Sequence, residues 1–566
     1  MTLLIQAANI SHAHGGNQIF TDASFELRDG DRIALIGENG AGKSTLFKIM
    51  ARLIQPDGGT VTHARNRSVG YLNQESTLDP TLTIRQLLAL AAGDPAALED
   101  RLHELEQRMA EALDDDELGA VLDAHADTLA RLERGADQDE EATVARVLAG
   151  LRLPEDRWDS TIGQLSGGEK KLVGLSHLLV AAPDALLLDE PDNHLDFATK
   201  QWLEGYVAAY HGAVAVISHD RYFIDRAVNR IFELEDGKVV AYPGNYSAYL
   251  DLKRTRLERQ AQLREIQERE FKKLKASAEQ LTQWARQNPK FAPRAENQRR
   301  KLAEERARLE RTPPPVLNRK RIEVDFDTER GSTLVLEASG LAKSYGEHEV
   351  FRPFDLVLRH GERVGLVGGN GAGKTTLFRI ILGQETPSAG TLRLGPSITV
   401  GYYAQEQETL DPTMTPLELV RGLKPMTEQG GISFLNGFLF DRDDALNRIE
   451  ALSGGERARL QIAALILRGA NFLLLDEPTN NLDIPSIERF EAALLDFPGA
   501  ILTISHDRYF LDTLCRRTIE LDAGIVCDYP GGFSSYDANR GHGTELTIRP
   551  PNAVSAKASR KPAKVR

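Results

Sequence analysis

GENGAGKST (Gly37–Thr45) and GGNGAGKTT (Gly368–Thr376) decide the fold of this 566-residue chain. Both contain GxxxxGK[ST], at Gly37–Ser44 and Gly368–Thr375. Alternating strand-like runs precede each one, Ser24–Leu27 and Arg32–Ile36 in the first half, Leu356–Leu358 and Arg363–Val367 in the second. A helix-like run follows each. Strand, loop and helix in that order make the pattern a phosphate loop. Its glycines let backbone N–H groups converge on phosphate oxygens, and the helix N-terminus adds a favourable dipole. The first loop supplies Gly37, Asn39, Gly40, Gly42, Lys43, Ser44 and Thr45; the second supplies Gly368, Asn370, Gly371, Gly373, Lys374, Thr375 and Thr376. Lys43 and Lys374 suit the β- and γ-phosphates of a nucleoside triphosphate, and Ser44 and Thr375 suit Mg²⁺.

Three further motifs follow each loop in the same order. LSGGE stands at Leu165–Glu169 and Leu452–Glu456, LLLDEP at Leu186–Pro191 and Leu473–Pro478, SHDRYF at Ser218–Phe223 and Ser505–Phe510. Asp189 and Asp476 end apolar strand-like runs, which places a carboxylate beside the phosphate loop of an α/β sheet and makes both candidates for Mg²⁺. Glu190 and Glu477, next in sequence, are placed to orient and deprotonate an attacking water. His219 and His506 lie 30 residues after their aspartates and are candidates for a γ-phosphate hydrogen bond. Ser166 and Ser453 stand 23 residues before the same aspartates, each opening a helical run, which makes a second anion site. Gln74 and Gln405, after Tyr71 and Tyr402–Tyr403, can reach Mg²⁺ or the water.

The repeat also exposes what is not repeated. Lys43 to Lys374 and Gln74 to Gln405 are both offsets of 331, whereas Asp189 to Asp476 and His219 to His506 are 287. The first half therefore carries 44 extra residues between Gln74 and Ser166. The segment 94–140 is the expected insert, a projecting pair of helices with leucines at helical spacing: Leu98, Leu102 and Leu105, then Leu118, Leu122, Leu129 and Leu132, broken near Asp114–Asp116. Between the halves, Leu274 and Leu281, and Leu302 and Leu309, are each one heptad apart. Asn288, Pro289 and Pro293 interrupt them, and Pro313–Pro315 follows, which predicts an antiparallel helical hairpin with its tip near 284–294.

Net charge is −14, unevenly distributed: residues 94–145 carry 17 acidic and 4 basic residues, residues 251–311 carry 10 acidic and 18 basic. Global charge is then a poor guide to the binding surface. Within 272–301 nine residues are basic and two acidic: Lys272, Lys273, Lys275, Arg286, Lys290, Arg294, Arg299, Arg300 and Lys301, with Trp284 and Phe291 at the supposed tip. Basic groups neutralise phosphates and aromatics stack on exposed bases, so these residues, Trp284 included, are candidate RNA contacts. No apolar run is long enough to span a membrane, and the N-terminus has no secretory pattern. Cys515 and Cys527 are the only cysteines, which excludes a disulfide framework, fits a reducing cytoplasm and predicts two buried thiols.

Together the motifs resemble the ATP-binding-cassette superfamily over roughly residues 1–240 and 330–540, LSGGE being that superfamily's signature. The resemblance implies an α/β fold of two P-loop cassettes in tandem, with a helical arm in the first and a helical hairpin between them. The expected domains are 1–240, 241–325 and 326–540, with a disordered basic tail at 541–566. It also implies two composite ATP–Mg²⁺ sites. One would use Lys43, Ser44, Gln74, Asp189, Glu190 and His219, closed by Ser453 and Gly455; the other Lys374, Thr375, Gln405, Asp476, Glu477 and His506, closed by Ser166 and Gly168. Tandem cassettes without a membrane domain, the arm, the hairpin and the wording EPxNxLD (Glu190–Asp196, Glu477–Asp483) are similar to family F, the translation-factor branch. Its members bind the ribosome at the tRNA exit site when ATP-loaded, the hairpin reaching towards tRNA and rRNA phosphates. The acidic arm suits a basic ribosomal protein, and the cassettes would pair within a monomer. A short tip favours a housekeeping over an antibiotic-resistance role. The other classes weighed are an ATPase subunit of a membrane transporter and a DNA-associated cassette protein.

Three departures stand out. Asp192 replaces the Thr479 of the second half, where it would weaken nucleotide binding or face solvent. Tyr345 fits an adenine-stacking position whose counterpart is His14. Gly369 stands opposite Glu38.

Overall fold

The computed structural model describes residues 2–547 except 15–16, 66, 74–77, 94, 110–117, 119–120, 123, 127, 130–139, 194, 236, 289, 291, 312–332, 405–409, 439 and 481. It divides into two units, Met1–Ala241 with Ile322–Arg566, and Tyr242–Arg321.

The larger unit holds both cassettes. Strands such as Leu186–Leu188 and Val214–Val216 are apolar without alternation, which suits a parallel sheet covered on both faces. The first central sheet runs, in spatial order, Val69–Leu72, Ala185–Asp189, Ala213–Ile217, Arg32–Gly37, Arg230–Glu235 and Lys238–Pro243. The second runs Val400–Tyr403, Phe472–Asp476, Ala500–Ile504, Arg363–Val367, Arg517–Asp522, Ile525–Pro530 and Thr544–Glu545. A three-stranded antiparallel sheet accompanies each one, with Leu3–His14 central in the first and Leu334–Tyr345 central in the second. In cassette one Phe20 and Phe25 of that sheet, Phe47 of the helix Lys43–Met50, and Ile33 and Leu187 of the central sheet form one core. Phe351, Phe354, Phe378, Val364 and Leu474 repeat it in cassette two.

The smaller unit is an antiparallel pair of helices, Tyr246–Gln287 and Ala292–Arg311. Asn245 caps the first helix through its side chain, and the pair is sealed where Ala278 and Ala295 are 3% and 5% exposed. Small residues at a seam let helices approach closely. Pro289, Phe291 and Pro313–Pro315 lie outside the described residues.

Three expectations need correction. The arm begins with the helix Pro95–Met109, and Leu98 and Leu105 are buried, but Leu122 and Leu129 are 48% and 42% exposed. Val121 and Thr128 take the inward positions, so the stripe is one residue out of phase there; Asp114–Asp116 and Leu132 lie outside the described residues. A tail starting at Gly541 starts too early, because Thr544–Glu545 pairs with Asp528 and Cys527 as an edge strand; residues 548–566 lie outside the described residues. Of the two free thiols, Cys515 is buried but Cys527 only partly, being next to the sheet edge. Among the described residues no helix is long and apolar enough to cross a membrane.

Candidate nucleotide sites and hairpin surface

The buried strands Arg32–Gly37 and Arg363–Val367 aim each chain into its glycine loop. Gly42 and Gly373 cap the following helices in the left-handed region, φ 98° and 101°. A Cβ there would lie 2.2 Å from Ile19 and 2.3 Å from Val350, so both conformation and space require glycine. Lys43 Nζ donates to the carbonyls of Gly37 (2.8 Å) and Glu38 (3.0 Å), and Lys374 Nζ to those of Gly368 (2.8 Å) and Gly369 (2.9 Å). Each ammonium has a third N–H beyond these. Burial lowers the pKa of both lysines.

Asp189 and Asp476 end strands one removed from the loop strand. Asp189 is fully buried, hydrogen-bonded with Ser44 and, at 3.3 Å, with the Tyr71 hydroxyl; Tyr402 stands 3.4 Å from Asp476 likewise. Burial raises both carboxyls, Asp476 to about 6, with the neighbouring Glu477 charge adding to it. The next residues, Glu190 and Glu477, have φ 50° and 47°. A left-handed glutamate costs about 1–3 kcal/mol and persists only where its surroundings enforce it. Here the Glu190 and Glu477 amides donate to the carbonyls of Ile217 and Ile504, each at 2.9 Å. Nothing in the sequence signalled this turn.

The two glutamates face their histidines. Glu190 Oε2 accepts from Asn193 Nδ2 (2.6 Å), and His219 Nε2 is 3.8 Å from its other oxygen. Glu477 Oε2 accepts from the His506 amide (3.1 Å), with His506 Nε2 at 3.5 Å from Oε1. Burial and then the adjacent lysine push both imidazoles down to about 3, so both are neutral near pH 7. Among the described residues, Asp189 Oδ1, Glu477 Oε1, both His219 ring nitrogens and His506 Nδ1 are buried without a hydrogen-bond partner. Carboxylate and hydroxyl oxygens suit Mg²⁺, while ammonium, imidazole and loop amides suit phosphate. The residues thus fit an Mg²⁺–nucleotide complex, which would supply the phosphoanhydride to be cleaved. Gln74 and Gln405 lie outside the described residues.

A cavity of about 460 Å³ joins Asn39, Lys43, Ser44, Glu190 and His219 to Asn480 and Leu482 of the other cassette. The Asn39 amide also donates to Asp483 Oδ2 across that boundary at 2.7 Å. Ser453 and Gly455 do not line the cavity. Ser453 and Ser166 instead cap their own helices, each in reciprocal hydrogen bonding with the glutamate three residues on, Glu456 and Glu169. A Cβ at Gly455 would lie 2.2 Å from Ser486 Oγ, whereas Gly168 has open space. Tyr345 ends its strand 48% exposed, with Lys343 Nζ 4.7 Å from the ring centroid; the His14 side chain lies outside the described residues. Glu38 meets Arg489 of the other cassette at 4.0 Å. Asp192 does not face solvent. It is 3% exposed, interacting with Lys200 and Asp220, and burial followed by the Asp220 charge pushes its carboxyl up to about 6.

The contacts that pair the cassettes went unread in the sequence. Arg221 binds Glu491, and Arg508 binds Glu204; all four are at most 5% exposed. Both members recur at the 287 offset, which is the signal that could have found them. Tyr222 and Tyr509 pack edge-on between these pairs, centroids 6.3 Å apart. On the hairpin, Lys272, Lys273, Lys275, Trp284, Arg286, Lys290, Arg294, Arg299, Arg300 and Lys301 are all exposed.

The histidines set one pH dependence. Between the free imidazole value of 6.5 and about 3 the unfolded chain binds protons that the folded chain refuses. Stability is therefore complete above 6.5 and lost as pH falls below it, by about 1 kcal/mol per histidine at pH 5.5. His219→Gln with His506→Gln should flatten this acid limb. Urea midpoints at pH 7.5 and 5.5 check it; an unchanged slope would sink it.

Sequence profiles of the family described as ABC transporter match residues 20–193, 351–480 and, in an extension of that family, 232–326. The chain is 36% identical to the "Putative ATP-binding protein YdiF" of Bacillus subtilis (strain 168), over 96% of this chain and 84% of that one. It is 37% identical to the "Energy-dependent translational throttle protein EttA" of Escherichia coli (strain K12), over 92% of each. Among solved structures, "RNase-L Inhibitor" superposes with a TM-score of 0.59 at 18% identity, over 96% of this chain and 97% of that one, a likeness of fold.

Proposed function

The chain belongs to family F of the ATP-binding-cassette superfamily, and from that premise we propose that this ATP-hydrolysing enzyme binds the ribosome in its ATP-loaded form and modulates translation. Lys43 and Lys374 bind phosphate, Ser44, Thr375, Asp189 and Asp476 hold Mg²⁺, and Glu190 and Glu477 act as bases for water with His219 and His506 beside them. ATP draws the cassettes together, hydrolysis lets them part, and the protein leaves the ribosome. The site lies near the tRNA exit position, with the hairpin on rRNA and tRNA phosphates and the acidic arm against a basic ribosomal protein. The protein works as a cytoplasmic monomer.

One observation carries the reading beyond kinship: the basic residues of 272–301 all point to solvent, although the chain as a whole is acidic. Exposed cations held on a helical hairpin suit a polyanion. Replacing Arg299, Arg300 and Lys301 by Gln should lower ribosome affinity about tenfold or more and reduce the slope of log affinity against log salt by about 2–3. Co-sedimentation over a salt series measures both. Unchanged affinity and slope, with ATP hydrolysis intact, would remove the hairpin from the interface.

A further inference from the structure

The two cassettes differ in charge where they meet. The 287 offset sets Asp192 against Thr479, Lys200 against Ile487, and Asp220 against Asp507. Cassette one therefore has an added acid and an added base, eight residues apart, where cassette two has a hydroxyl and an alkyl group. Lys200, 7% exposed, lies 3.0 Å from Asp220 Oδ2, next to the histidine of its own cassette. It also donates to the backbone carbonyl of His506 in the other cassette at 3.3 Å.

That carbonyl belongs to the residue whose amide donates to Glu477 Oε2. His506 is thus gripped from two directions, by Glu477 of its own cassette and by Lys200 of the opposite one. At the matching position cassette two has Ile487, which cannot donate to the His219 carbonyl. The groups packed around Lys200 are Asp192, Asp220 and Arg508, and its charge also acts on Glu477 and His506. A lone buried ammonium would be costly, and Asp192 with Asp220 offsets it.

We propose that Lys200 is a positioning residue for one site only: through the backbone of His506, held at its carbonyl by Lys200 and at its amide by Glu477, it holds Glu477 in place, so that hydrolysis at the second site depends on a charge supplied by the first cassette. The inference rests on the reading of Glu190 and Glu477 as bases.

The test gives cassette one the residues of cassette two, Asp192→Thr with Lys200→Ile, which removes both charges together; Lys200→Ile alone would strand two buried acids. Turnover is measured in a Glu190→Gln background, where the second site works, and in a Glu477→Gln background, where the first does. The double replacement should lower kcat about tenfold at the second site with KM little changed, and alter the first site less than about twofold. Lys200→Arg should keep most of the activity. Equal losses at both sites, no loss at the second, or a change in KM alone would overturn the proposal. The reading of the bases fails separately, if either single Gln variant hydrolyses ATP at the full rate. Should both be too slow to measure, amide exchange decides: exchange of the His506 amide should quicken about tenfold while that of His219 stays unchanged, and equal change at both would overturn it.

Discussion

Glu190→Gln combined with Glu477→Gln is expected to cut ATP hydrolysis by about 100-fold or more and to leave the protein fixed on ribosomes whenever ATP is present. Glutamine keeps the size and the outer oxygen of the side chain, and it leaves the left-handed turn and the amide bonds to Ile217 and Ile504 in place. What it loses is the capacity to take a proton from water. Phosphate and Mg²⁺ ligands are untouched, so nucleotide binding should persist while the step that opens the cassettes does not occur. Co-sedimentation with ribosomes, with and without ATP, reads this directly. No enrichment over the ATP-free control, with nucleotide binding shown intact, would sink the ribosome reading.

The second large effect is on the pairing of the cassettes. Arg221→Ala should destabilise the protein by about 3–5 kcal/mol, because it removes a buried guanidinium that faces two carboxylates, Glu491 and Asp507. It also takes away the stacking of that guanidinium on Tyr509, 4.1 Å from the ring centroid. Arg221→Met with Glu491→Leu should recover part of the loss, since it removes the Glu491 charge together with the guanidinium, while Asp507 stays and keeps its hydrogen bond from the Phe510 amide. Urea midpoints of Arg221→Met, Glu491→Leu and the double close the cycle. A cost below about 1 kcal/mol for Arg221→Ala would show that the charges are solvated.

Much of this was legible because motifs of local geometry leave local residues. A glycine that must be left-handed, as at Gly42, and an aspartate ending an apolar strand, as at Asp189, each state their structure within a few residues. The hairpin was legible for a similar reason, a heptad interrupted near Pro289. The turn at Glu190 was not, because its cause is a carbonyl on another strand, Ile217. The burial of Asp192, against the solvent-facing alternative, was not legible for the same reason: its balancing partner is Lys200 on the helix Phe197–Ala209, and spacing alone does not show that both turn inward. The phase of the leucine stripe at Leu122 and Leu129 is not legible because leucine suggests the inward face, while Val121 and Thr128 hold it.

Tyr222 and Tyr509 are the same position in the two repeats, and they touch. A residue that meets its own counterpart lies on the axis relating the two halves. The tyrosines and the arginine pairs beside them therefore hold the two halves together along that line. The halves then never have to find one another by diffusion, and each cycle begins from partners already held at high effective concentration.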